Sequence, residues 1–87
     1  MIDSLSVFFP AYNEENNILD TIEKAIQVLK NLKLDRYEII VVDDGSKDNT
    51  GKIADGLASK YEYVKVIHQS NGGYGMALRT GLYNAKY

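Results

Sequence analysis

The run Ile39-Ile40-Val41-Val42, followed directly by Asp43-Asp44-Gly45-Ser46, constrains this chain more than any other stretch. Four consecutive β-branched residues favour a strand, and with no polar alternation that strand needs cover on both faces of its sheet. Such strands belong to open α/β sheets, whose ligands bind outside the carboxyl ends of the strands. The two aspartates stand at that end. A carboxylate only accepts hydrogen bonds, so it suits a donating base edge such as the imide N–H of uracil or the N1–H and exocyclic amine of guanine. Adenine fits less well.

The flanking pattern repeats the theme. Residues 5–9 form a short apolar run closed by Pro10, which cannot donate to a ladder and marks a strand terminus. Ile18, Leu19, Ile22, Ala25, Ile26, Leu29 and Leu32 then follow helical spacing, with Asn13 as the expected cap and Glu14 and Glu15 placed to complement the helix dipole. Residues 37–42 give the second strand. Asp48, Asn49 and Thr50 offer capping oxygens ahead of a second helix ending near Tyr61. Residues 63–67 read as a third strand, Asn71-Gly72-Gly73-Tyr74-Gly75 as a loop, and residues 76–85 as the start of a third helix. The expected fold is therefore α/β, in the order βαβαβα, with a parallel three-stranded sheet in the spatial order three, two, one and flanking helices. All three loops that follow strands would then open on one edge. His68, the only histidine, reads as a strand-end residue rather than a ligand, since no second metal-type side chain has recognisable spacing to it.

Composition narrows the function classes. The 87 residues make one domain at most, burying about 60–65% of the surface the unfolded chain exposes. A net charge of -2 gives no electrostatic case for nucleic-acid binding, so phosphate recognition has to be local. The absence of cysteine excludes disulfides and thiolate metal sites. No apolar stretch approaches the roughly 20 residues of a membrane span, and the amino terminus lacks a basic region with an apolar signal core. A soluble chain is expected.

Taken in order, Pro10-Ala11-Tyr12-Asn13-Glu14, Val42-Asp43-Asp44-Gly45-Ser46 and Asn71-Gly72-Gly73-Tyr74-Gly75-Met76-Ala77-Leu78-Arg79-Thr80-Gly81 resemble the nucleotide-binding half of family 2 glycosyltransferases of the GT-A fold. The glycine loop with Tyr74 and Ala77-Leu78-Arg79 resembles most the branch of dolichol-phosphate mannosyltransferases and polyprenyl-phosphate glycosyltransferases. The resemblance implies that Pro10, Ala11 and Tyr12 line the nucleoside pocket, that Glu14 approaches the ribose or base, and that Asp44 reads the base edge. Asp43 either shares that role or braces the loop. Gly73 and Gly75 would let backbone N–H groups approach the diphosphate, with Arg79 as its cation.

The family's Asp-x-Asp metal motif and its acceptor-side general base are not found in residues 1–87. The chain is accordingly expected to be the nucleotide-sugar-binding half of a longer, cytoplasmic enzyme, without catalytic residues or turnover of its own. The full enzyme would use Mg2+ or Mn2+ and UDP- or GDP-linked sugar, transferring to an acceptor such as a polyprenyl phosphate or glycan. It would meet a membrane only through segments beyond Tyr87 or through a lipid acceptor. Competing readings are a Rossmann-type dinucleotide-binding domain, whose glycines belong after the first strand, a receiver domain, and a non-catalytic nucleotide-binding or assembly module. Leu5, Val7, Phe8 and Phe9 on an uncovered strand edge would favour a homo-oligomer.

Overall fold

The structure, a computed structural model, describes residues 4–70 and 85–86. Its elements are β1 (Ser4–Ala11), α1 (Ile18–Asn31), β2 (Arg36–Asp44), α2 (Thr50–Lys60) and β3 (Val64–Gln69). The three strands form one parallel sheet in the order β1-β2-β3, the expected order with β2 in the centre. The glycine loop and most of the third helix expected from the sequence lie outside the described residues.

The central position of β2 explains its composition. Ile39, Ile40, Val41 and Val42 have no exposed surface, and burial of each such side chain contributes about 1.5–3 kcal/mol. Alternation along the strand divides them between two layers. Ile39 and Val41 pack with Ile18, Ile22, Ile26 and Leu29 of α1 and with Ala54 and Leu57 of α2. Ile40 and Val42 form a second, smaller cluster with Phe8, Ile67 and Ala85. Both described helices therefore cover one face of the sheet, as successive crossovers of one hand require.

Helix α1 buries Ile18, Ile22, Ile26 and Leu29, one stripe at helical spacing. Leu19 and Leu32, expected on that stripe, are exposed instead. Nor does Asn13 cap the helix, which begins later, with Asn17 at the cap position. A preceding turn, in which the Glu14 carbonyl accepts from the Asn17 and Ile18 amides at 3.0 and 2.8 Å, delays the helix start. Asn13 adopts the left-handed conformation, φ 51°, which asparagine tolerates better than most residues. Its hydrogen bonds go elsewhere, as described below.

All three strands run further at their carboxyl ends than the sequence pattern suggests, β3 reaching Gln69. β1 continues through Pro10, which pairs with Val42, to Ala11 opposite Asp43. Among the described residues β1 is an edge strand, where a residue without an N–H is tolerated. β2 likewise continues through Asp43 and Asp44, which pair with His68 and Gln69 of β3. The acidic pair thus occupies the last rungs of the sheet rather than the turn beyond it.

Candidate functional site

The register of the sheet assembles the site. Ala11, Asp43 and His68 are in-register neighbours across the three strands, and Asp44 and Gln69 form the next rung. The loops leaving β1 and β2 therefore start side by side, and a set of long-range hydrogen bonds fastens them together.

These bonds join groups 33–36 residues apart. The Asn13 amide donates to Ser46 Oγ at 2.9 Å, and the Lys47 amide donates back to Asn13 Oδ1 at 2.8 Å. The Glu14 amide donates to Thr50 Oγ1 at 2.6 Å, and the Glu15 amide to Asp48 Oδ2 at 3.2 Å. Thr50 has no exposed surface. Its hydroxyl donates to Asp48 Oδ1 at 2.5 Å, so the one oxygen accepts from loop one and donates to loop two. A buried hydroxyl satisfied on both sides is worth more in place than its net contribution suggests, because removing it orphans the Glu14 amide and leaves Asp48 Oδ1 with the Thr50 amide alone.

The acidic pair is held from below. Asp43, 6% exposed, accepts the Ser46 amide on Oδ1 at 3.1 Å and faces His68 Nδ1 with Oδ2 at 2.8 Å. The other ring nitrogen of His68, Nε2, lies 2.9 Å from Asp55 Oδ1 of α2. Carboxylates can only accept, so both contacts are hydrogen bonds when the ring carries both protons, as an imidazolium. Hydrogen bonding to Asp43 first, and to Asp55 next, accordingly raises its pKa above 6.5 against the opposing pull of burial. Gly51 gives this pair its room, since a Cβ there would stand 2.6 Å from Asp43 Oδ2 and 3.2 Å from His68 Cε1. Asp44, 4% exposed, accepts from Gln69 Nε2 at 2.8 Å. At Asp48 partial desolvation works upward, but the Thr50 hydroxyl and amide and the Glu15 amide together hold its carboxyl below 3.8.

Of the residues singled out from the sequence, Pro10, Ala11, Tyr12, Glu14, Asp43 and Asp44 come together at the carboxyl edge of the sheet. Ala11 is buried, whereas Tyr12 is 42% exposed and Glu14 is exposed. Gly73, Gly75 and Arg79 lie outside the described residues. Sequence reasoning missed His68 and gave Thr50 and Asp48 only a capping role. A signal for His68 existed: a parallel register that aligns the strand ends places it beside Asp43. Among the described residues, no group of three or more His, Cys, Asp or Glu side chains is arranged to hold a metal ion. The carboxylates present are turned to internal donors: Asp43 to His68 and the Ser46 amide, Asp48 to Thr50 and the Glu15 amide. They do not fit a divalent cation.

A cavity of about 270 Å³ lies at the opposite end of the sheet, lined by Tyr37, Glu38, Glu62, Tyr63, Lys65 and Lys86. It contains none of the residues expected to bind ligand. No described helix is long and apolar enough to cross a membrane.

Comparison with known proteins adds an independent line. The family model for glycosyl transferase family 2 matches residues 6–87. An uncharacterized glycosyltransferase, EpsJ of Bacillus subtilis, is 40% identical over 86 residues, covering 99% of this chain and 24% of that protein. The dolichyl-phosphate beta-glucosyltransferase of Homo sapiens is 43% identical over 89 residues, covering 94% and 28%. The undecaprenyl-phosphate 4-deoxy-4-formamido-L-arabinose transferase of Proteus mirabilis is 35% identical over 86 residues, covering 97% and 26%. The chain spans about a quarter of the length of these relatives.

Proposed function

We propose, on the premise that this chain belongs to glycosyl transferase family 2, that its carboxyl-edge site binds the nucleotide of a UDP- or GDP-linked sugar. Residues 1–87 then form the nucleotide-binding portion of a transferase that delivers the sugar to an acceptor such as a polyprenyl phosphate or a glycan. The observation that carries this reading is the cross-bonding of the loops after β1 and β2, which holds Tyr12 and Glu14 beside Asp43 and Asp44 on one rim. A nucleoside needs both a polar edge-reader and an adjoining wall, and this rim supplies them from separate strands.

Within the reading, Asp44 accepts from the imide or amine edge of the base, while Asp43 braces the rim, both its oxygens being engaged by Ser46 and His68. Pro10, Ala11 and Tyr12 line the base and ribose, and the Glu14 carboxylate faces the ribose hydroxyls. Gly73, Gly75 and Arg79 are assigned to the diphosphate on the chemistry of their side chains and backbone. A divalent cation, Mg2+ or Mn2+, would neutralise the leaving diphosphate in the complete enzyme. The described carboxylates do not supply its ligands, and turnover by residues 1–87 alone is not expected. Two relatives carry dolichyl phosphate and undecaprenyl phosphate in their names, which favours a lipid-phosphate acceptor; a place at the cytoplasmic face of a membrane belongs to the same reading. The outer edge of β1 is where a second copy would pair, to be measured by light scattering.

Isothermal titration with UDP, GDP and NAD tests the assignment. UDP or GDP should bind, and Asp44→Asn, which turns an acceptor into a partial donor, should weaken that binding roughly tenfold or more. Binding of NAD with neither UDP nor GDP would overturn it.

A further inference from the structure

The strongest group left unused by this reading is His68. It is the only histidine of the chain, and its ring bonds to Asp43, the strand residue that braces the rim, and to Asp55. Its two nitrogens are spent on two carboxylates from different elements, Asp43 of β2 and Asp55 of α2, at 2.8 and 2.9 Å. Asp43 in turn takes the Ser46 amide, Ser46 Oγ takes the Asn13 amide, and Asn13 Oδ1 takes the Lys47 amide. A continuous line of hydrogen bonds therefore runs from α2 through β3 and β2 into the loop that carries Tyr12 and Glu14.

We propose that His68 is a positioning residue for the nucleotide site: its imidazolium, clamped between Asp43 and Asp55, sets the Asp43 carboxylate and through it the placement of the loop after β1. This rests on the nucleotide-binding reading for its functional consequence, but the clamp itself does not. Two features favour the imidazolium over a neutral ring at this place, and a third gives the pair its room. Asp43 is buried, so its charge has little water to fall back on. Neutral histidine has one donor and cannot serve both carboxylates. The missing side chain at Gly51 lets the ring and the Asp43 carboxylate meet at hydrogen-bonding distance, where any Cβ would intrude. Among the described residues, the charged groups facing the ring from the elements packed against it are Asp43 and Asp55, both acidic, and they favour the proton on it.

Loss of that proton as the pH rises leaves one nitrogen facing a carboxylate with no hydrogen between them. The neutral ring keeps its one hydrogen on one of the two carboxylates, so it no longer bridges α2 to β2, the positive charge beside the buried Asp43 carboxylate is gone, and the Ser46–Asn13 part of the seat of the loop after β1 loosens. Nucleotide affinity should therefore fall as His68 titrates.

The test uses this chain with UDP and GDP as probes, by isothermal titration from mildly acidic to mildly alkaline pH, beside His68→Gln and Asp55→Asn. Nucleotide phosphate titrates in the same range, but that contribution is common to all three proteins and cancels in ratios of affinity. For His68→Gln, the expectation is roughly tenfold weaker binding at mildly acidic pH and a ratio to the unsubstituted chain that approaches one as the pH rises. Asp55→Asn, on the exposed side of the clamp, should keep the fold and move the midpoint of the profile to lower pH. A ratio near one at every pH for His68→Gln overturns the proposal. If neither nucleotide binds the unsubstituted chain, the nucleotide reading fails, and nitrogen NMR of the single imidazole decides the clamp by itself. Both ring nitrogens protonated at neutral pH, with the Ser46 and Asn13 amide signals titrating in step, supports it. A ring that is neutral at neutral pH, or amides that do not follow it, overturns it.

Discussion

Gly51 and Gly56 lie in the same helix, and the structure assigns opposite signs to the same substitution at the two. Replacing glycine by alanine inside a helix is worth up to about 1 kcal/mol from backbone entropy. At Gly56 nothing stands within 4 Å of an added Cβ, so Gly56→Ala should collect that gain, about 0.5–1 kcal/mol. At Gly51 the Cβ would stand 2.6 Å from Asp43 Oδ2 and 3.2 Å from His68 Cε1. The oxygen has to retreat by several tenths of an ångström, and it is already fixed by His68 at 2.8 Å. Overpacking of this kind costs about 1–3 kcal/mol, and the strained charge-assisted bond to His68 adds to it. After subtracting the helical gain, Gly51→Ala should lose about 1–2 kcal/mol, with Tm falling by about 4–8 °C for each kcal/mol in a domain of this size. Thermal and urea denaturation followed by circular dichroism measure both variants side by side. Should Gly51→Ala melt at or above the temperature of the unsubstituted chain, the close approach of α2 to the Asp43–His68 pair would be refuted.

Stability should depend on pH from two sides. The pKa of His68 is raised above its unfolded 6.5, so its contribution is complete below that value and is lost as pH rises through the folded pKa. Asp48 is depressed below 3.8, so its contribution is complete above that value and disappears as pH falls through the folded pKa. Urea midpoints across pH check both: His68→Gln should be the less stable chain below pH 6.5 and should converge with the unsubstituted chain as the pH rises, and equal stability on the acid side contradicts the first. Thr50→Val keeps the volume but orphans the Glu14 amide and leaves Asp48 Oδ1 with the Thr50 amide alone, with an expected loss of about 1–3 kcal/mol and faster hydrogen exchange at the Glu14 amide. Unchanged exchange there would contradict the bond. Ile22→Ala removes a side chain with no exposed surface, and about 2–5 kcal/mol should go with it; a loss below about 1 kcal/mol would mean that α1 does not pack on the sheet as described.

Much of the scaffold was legible because its signals are local. Four β-branched residues in a row can hardly be anything but a covered strand, and the stripe from Ile18 to Leu29 has helical period whatever it packs against. Sequential βαβ units then leave few sheet orders open. What the pattern could not show depends on groups 33–36 residues apart meeting at the rim. Asn13 looks like a cap because asparagine is a good cap, yet a side chain that can bond either its own helix or the opposite loop is claimed here by Lys47. The same holds for Asp48 and Thr50, whose capping chemistry is real but reaches across to Glu14 and Glu15. His68 was passed over because its partners are fixed by strand register, and register extending to the final rungs of β2 and β3 was not visible from the apolar run alone.

The way loop one is fastened has a consequence for divergence. Glu14 meets the rest of the fold through its main chain, its amide going to Thr50 and its carbonyl to the helix start, and Tyr12 projects 42% exposed beside it. A loop anchored by peptide groups places little demand on what its side chains are. Positions 12 and 14 can therefore drift to suit a different ligand while the frame that presents them stays unaltered, whereas a change at Asn13 or Thr50 has to be answered on the facing loop.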